Sequence, residues 1–84
     1  MVIAPVNQTR DIKAMKAFGM RLREIRKSKK LSQQQLAYFA DLELSQISRI
    51  ERGIINTSIS QVFQIARALN VHVKILFDFE IEHD

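Results

Sequence analysis

The sequence predicts an all-α fold: a compact helical bundle with a short extended C-terminal tail. Three observations predict it. Apolar residues recur at spacings of three and four through most of the chain, Ser or Thr stands where these stripes begin, and obligatory breaks are few, with one Pro and two Gly. A length of 84 residues supports a single domain, whose small core would gain from a partner subunit.

Pro5 makes residues 1–8 an extended lead-in, and Thr9 is the expected N-cap of the first helix, with Asp11 near its positive end. Met15, Phe18, Leu22 and Ile25 form that helix's apolar stripe, while Arg10, Lys13, Lys16, Arg21, Arg23 and Lys27 fall mostly on other faces. Gly19 lies inside the helix, where it weakens helicity by about 1 kcal/mol relative to Ala, so a close packing contact is expected there. A second helix opens at Ser32, with Gln35 completing a capping box, and turns Leu36, Ala37 and Ala40 inward. Asp41 suits the left-handed conformation of a tight turn. Leu42 then points inward, and a third helix carries Leu44, Ile47 and Ile50 until Gly53 ends it. After a loop at 54–57, Ser58 and Gln61 form another capping box, and Ile59, Val62, Phe63, Ala66 and Leu69 give the fourth helix its stripe. The segment beyond Asn70 fits two readings. Val71, Val73, Ile75, Phe77, Phe79 and Ile81 alternate as in a strand, and only Leu76 breaks the pattern. Val73, Leu76 and Phe77 also fit a short helix, and a lone strand would lack a partner.

Charge divides the chain. Residues 1–30 hold nine Lys and Arg against two Asp and Glu, net +7, whereas residues 31–84 hold four against seven, net −3. Four of those acids fall in residues 78–84. A basic front and an acidic tail suggest one side that faces a polyanion, against the plainer reading of a solvated helix face. Cysteine is absent, which removes a disulfide scaffold, a thiol nucleophile and a cysteine zinc site. The two histidines, His72 and His83, have no ligand spacing on a helix, and no Gly-rich phosphate loop exists. His72 reads as a cap or surface residue. The chain is therefore expected not to be an enzyme and to need neither metal nor cofactor. No apolar stretch approaches the ~20 residues of a membrane span, and residues 1–6 lack a secretory pattern. A cytoplasmic protein is expected.

Residues 33–52, QQQLAYFADLELSQISRIER, place Leu36, Ala37, Ala40, Leu42, Ile47 and Ile50 as inward positions on two short helices joined at Asp41. Ala37 must be small where the second helix crosses it. This is the spacing of a helix-turn-helix, whose second helix enters the DNA major groove.

With these residues in view, the chain resembles the Cro/phage-repressor (XRE-like) type of helix-turn-helix domain. LSQ, ISRIERG and ARALNV stand at the family's mutual spacing, and the resemblance covers about residues 18–77. Small restriction–modification controller proteins and antitoxin-type repressors are the most similar subgroups. The resemblance implies a helical bundle that binds operator DNA as a homodimer, with a fifth helix ending near LFDF in place of the strand. It divides the chain into the lead-in 1–8, a DNA-binding domain 9–77 and an acidic tail 78–84. Double-stranded DNA and a second copy of the chain are the implied partners; a toxin or other protein is left open, and no membrane is implied.

By position, the resemblance assigns phosphate contacts to Gln33, Arg52 and Asn56 and places Glu43, Leu44, Ser45 and Arg49 at base edges. Arg49 carries the most information, because its planar fork pairs with guanine O6 and N7. Leu44 stands where the family often has Gln; it could touch a thymine methyl but cannot make the bidentate adenine pair. Ile54 and Ile55 replace the Lys or Arg common in that loop and are read as packing over the end of the fourth helix. The family's Arg–Glu pair between the first and third helices falls on Arg26 and Glu51. Large apolar residues beyond position 70, notably Ile75, Phe77 and Phe79, exceed what a small core needs and are expected to form the dimer interface. The rival function is a protein-interaction module that uses the same bundle without reading DNA.

Overall fold

A computed structural model describes residues 10–81. Four α-helices, α1 (Ile12–Ser28), α2 (Gln33–Ala40), α3 (Leu44–Glu51) and α4 (Ile59–Leu69), are followed by a 3-10 helix, Val73–Phe77. No strand forms among the described residues. The expected fifth helix is thus corrected to a tight 3-10 turn. Leu76, the residue that broke the strand alternation, explains why: it is fully buried in the core, with Val73 and Phe79 half-buried three residues to either side. That spacing is the three-residue repeat of a 3-10 helix. His72 opens the turn as its cap, its Nδ1 accepting from the Lys74 N–H at 3.1 Å.

The helix starts follow local side-chain chemistry. Ser32 and Ser58 accept from the N–H groups of Gln35 and Gln61, and both glutamines return a bond to the cap's N–H. Each pair satisfies two N–H groups that a helix start leaves without a partner, which stabilises the end by about 1 kcal/mol. At α1 the cap is Asp11, which accepts from the Ala14 N–H at 3.0 Å; the expected cap, Thr9, lies outside the described residues, as do the whole lead-in 1–8 and residues 82–84 of the tail.

The helix ends share one device. Lys30, Asp41, Gly53 and Asn70 have positive φ, between 56° and 70°. The residue after each, respectively Leu31, Leu42, Ile54 and Val71, sends its N–H back to the carbonyl of Arg26, Ala37, Arg49 or Ala66. These bonds turn the chain sharply and satisfy a terminal carbonyl, and an apolar residue follows every turn. Leu31, Leu42 and Val71 use that position to pack against the core.

One cluster forms the core, built from Phe18, Leu22 and Ile25 of α1, Leu36, Ala37 and Ala40 of α2, Ile47 and Ile50 of α3, Val62, Ile65, Ala66 and Leu69 of α4, and Leu76. The inward set of α4 differs from expectation. Ile65 is fully buried, while Ile59 is 77% and Phe63 46% exposed, so the stripe is rotated toward α2. Leu44 also departs, standing 47% exposed at the start of α3.

Candidate nucleic-acid interface

The geometry of the site begins where α1 crosses α3. A Cβ on Gly19 would stand 2.6 Å from the Glu51 carbonyl oxygen and closer still to that of Ile50, so only glycine admits this approach. Seven residues on, Arg26 meets Glu51. Its Nε donates to Glu51 Oε2 at 2.7 Å and its Nη2 to Oε1 at 3.0 Å, while Nη1 donates to the Leu31 carbonyl at 2.7 Å. Both side chains are nearly inaccessible to water, at 9% and 3% exposure. The hydrogen bonds that Arg26 donates to Glu51 raise its pKa above the ordinary value and outweigh the opposing effect of burial. The guanidinium is therefore a permanent cation, and it cancels the carboxylate beneath the helix-turn-helix.

Glu51 takes a further donor. Gln33 Nε2 donates to Oε1 at 3.0 Å, which ties the first residue of α2 to the last residue of α3. The Gln33 side chain is thereby held at the N-terminus of α2. Ser32 caps the Gln35 N–H, and among the described residues the N–H groups of Gln33 and Gln34 have no intrahelical acceptor. They face outward at the positive pole of the helix, where an anion is favoured.

Asp41, at φ 57° and ψ 43°, makes the turn to α3. Gln46 Oε1 accepts the Glu43 N–H at 3.0 Å and so fixes the start of α3. Leu44, Ser45, Arg49 and Arg52 are exposed and Ser48 is half-buried; together with Gln33 and Glu43 they line one shallow concavity. Arg49 lies four residues after Ser45 and so shares its face. Six of the seven residues placed by sequence at base edges or phosphates thus come together, and Ser48 joins them. Asn56 does not: it lies in the loop between α3 and α4, beside an apolar groove lined by Met15, Phe18, Ile59 and Phe77. Ser48 shared the outward spacing of Ser45 and Arg49, a signal that was legible.

The loop with Asn56 is held by α1. Arg10 Nη2 donates to the Ile54 carbonyl. Gly53, at φ 70°, packs on Lys16, whose Cα would be 2.6 Å from an added Cβ. Ile55 is half-buried against the core, whereas Ile54 is 43% exposed. Arg21 Nε donates to the Ile75 carbonyl at 3.0 Å and anchors the 3-10 turn on α1. Ile75 and Phe79 are half-buried and Phe77 is 51% exposed. The Phe77 ring lies 5.2 Å from Phe18 and 6.4 Å from Phe79. Ile59 of α4 lines the same groove as Phe77, so an apolar surface runs from α4 onto the 3-10 turn.

No group of His, Asp and Glu suited to a metal ion occurs among the described residues, and no helix there is long and apolar enough to cross a membrane.

Comparison with known proteins places this geometry. A family model for the helix-turn-helix matches residues 22–76. The chain is 46% identical over 63 residues to the control protein C.BamHI of Bacillus amyloliquefaciens, covering 74% of this chain and 78% of that protein. It is 44% identical over 55 residues to the immunity repressor protein of Bacillus phage phi105, covering 66% of this chain but 38% of the repressor. Among solved structures, the restriction-modification controller protein C.AhdI from Aeromonas hydrophila matches with a TM-score of 0.74 at 40% identity, over 75% of this chain and 96% of that one. None of these relatives bears on a toxin partner.

Proposed function

We propose, from the premise that this chain belongs to the helix-turn-helix family of Cro/phage-repressor type, that it is a transcriptional regulator that binds operator DNA as a homodimer. The concavity on α2 and α3 carries the reading. Its residues divide by chemistry. Ser45, Ser48 and Arg49 project from the outer face of α3, where they can reach base edges in the major groove. Gln33 at the α2 N-terminus and Arg52 at the end of α3 flank them and suit phosphates of the two bordering strands. Leu44 offers an apolar surface to a thymine methyl. Glu43, at the rim, could accept from cytosine N4 and disfavours a phosphate at that spot.

The apolar surface of Ile59, Ile75, Phe77 and Phe79, separate from the concavity of α2 and α3, is the surface through which two copies would pair. A dimer through it sets two α3 helices ~34 Å apart, one turn of duplex, and implies a roughly palindromic site. Titration of duplex DNA against salt, with the mass followed by light scattering, tests both halves. The expected result is dimeric protein whose affinity falls steeply with salt. Absence of duplex binding at low salt removes the DNA reading, and a monomeric mass well above micromolar concentration removes the dimer.

One feature favours a protein partner in addition. Tyr38 is 81% and Phe39 58% exposed on α2, with rings 5.6 Å apart, and neither lines the concavity of α3.

A further inference from the structure

The outward face of α1 is a band of like charge that the major-groove site does not use. Lys13, Lys16, Met20, Arg23 and Lys27 recur at spacings of three and four, opposite the buried Phe18, Leu22 and Ile25. All five are exposed, Met20 to 66%. Glu24, the acid nearest the band, lies 3.9 Å from Arg21 on its flank. Lys16, Arg23 and Lys27 have no acidic partner among the described residues. A solvated helix face ordinarily mixes signs, because opposite charges three or four apart support the helix and like charges weaken it. Here the like-charged arrangement persists along 14 residue steps, about 21 Å.

The band adjoins the proposed DNA face at two places. Lys16 lies against Gly53, the residue after Arg52. Lys27 is followed by Lys29 and Lys30, which lead through Leu31 and Ser32 to Gln33. The band thus runs beside the two elements that hold the flanking phosphate contacts, with α1 fixed to α3 through Arg26 and Glu51. A duplex of ~21 Å carries about 12 phosphates at one charge per ~1.7 Å, a matching linear array of opposite sign.

We propose that this α1 face is a second, sequence-independent DNA contact, in which Lys16, Arg23 and Lys27 bind backbone phosphates beyond those reached from α2 and α3. It rests on the DNA-binding reading above. Its role is counterion release: it adds affinity for any duplex without altering which sequence is preferred.

The test is the salt dependence of binding of the full chain to a random-sequence duplex, for the parent and for the triple variant Lys16→Gln/Arg23→Gln/Lys27→Gln. Each phosphate contact contributes about 0.9 to the slope of log affinity against log salt, so the variant's slope should be shallower by roughly 2–3 per subunit, about 5 for a bound dimer. The charge-conserving variant Lys16→Arg/Arg23→Lys/Lys27→Arg should keep the parental slope. Each single Gln variant should lose about 0.9 per subunit, which gives the same readout should the triple variant fold poorly. An unchanged slope in the triple variant, with the parent binding DNA, overturns this inference and leaves the α3 reading standing. A change in oligomeric mass with an unchanged slope also overturns it, since the band then meets protein. A parent that binds no duplex overturns the DNA-binding reading and this inference with it.

Discussion

Removal of one partner from the Arg26–Glu51 pair should be among the most damaging single changes in the molecule. In Glu51→Gln, two guanidinium N–H groups and the Gln33 amide, all of which now point at carboxylate oxygens, meet a neutral amide with one acceptor oxygen. The cation stays in place, because Nη1 is still bound to the Leu31 carbonyl and the side chain is 9% exposed. In Arg26→Met the carboxylate is left with the Gln33 amide as its side-chain donor. An uncompensated buried charge costs about 3–5 kcal/mol. A domain of this length has a total stability of about 4–13 kcal/mol, so either variant loses a large share of it. At about 4–8 °C per kcal/mol, the melting temperature should fall by ~12–40 °C. The apolar double variant Arg26→Met/Glu51→Leu leaves no charge behind and should lie near the parent or up to ~4 kcal/mol above it. Thermal and urea melts of the parent, the two single variants and the apolar double variant compare the four stabilities directly. Single variants within ~1 kcal/mol of the parent would refute the reasoning, since the pair would then be solvated enough for water to replace either partner.

Gly19→Ala should destabilise the fold by about 1–3 kcal/mol through the α3 carbonyls, although Ala is the better helix former by about 1 kcal/mol; a higher melting point would show that α1 and α3 can separate freely. At Asp41, φ 57° predicts that Asp41→Gly is neutral or better and that Asp41→Val costs about 1–2 kcal/mol, both read from urea midpoints. Phe77→Glu should place a charge in the apolar patch that joins the 3-10 turn to α4 and shift the mass seen by light scattering from dimer to monomer, with helical circular dichroism retained.

Much of this molecule was legible because its helix boundaries are local chemistry. Ser32 with Gln35 and Ser58 with Gln61 act within one turn of chain, and Asp41 and Gly53 hold the left-handed positions. Lys30 takes the same conformation with no residue signal, because the Leu31 N–H bond and burial of Leu31 impose it. Where tertiary packing decides, local pattern misled. The apolar spacing of α4 admits two overlapping stripes, and contact with α2 selected the one with Ile65 over the one with Ile59 and Phe63. The alternation after Asn70 gave way because burying Leu76 closes the core between α1 and α4. At the interface, helical spacing brought Ser45 and Arg49 together, whereas the Gln33–Glu51 bond joins residues on different helices and had no local signal.

The central claim is that α3 reads bases while its flanks grip backbone, and selection from a random-sequence duplex pool tests it most directly. The parent should enrich a roughly palindromic motif. Arg49→Ala should lose preference at one position of each half-site, a change of about 1–3 kcal/mol confined to that base pair. Gln33→Ala should lower affinity for all sequences with their ranking unchanged. If Arg49→Ala enriches the parental motif at every position, Arg49 is not a base reader and the assignment of α3 as the recognition surface is contradicted.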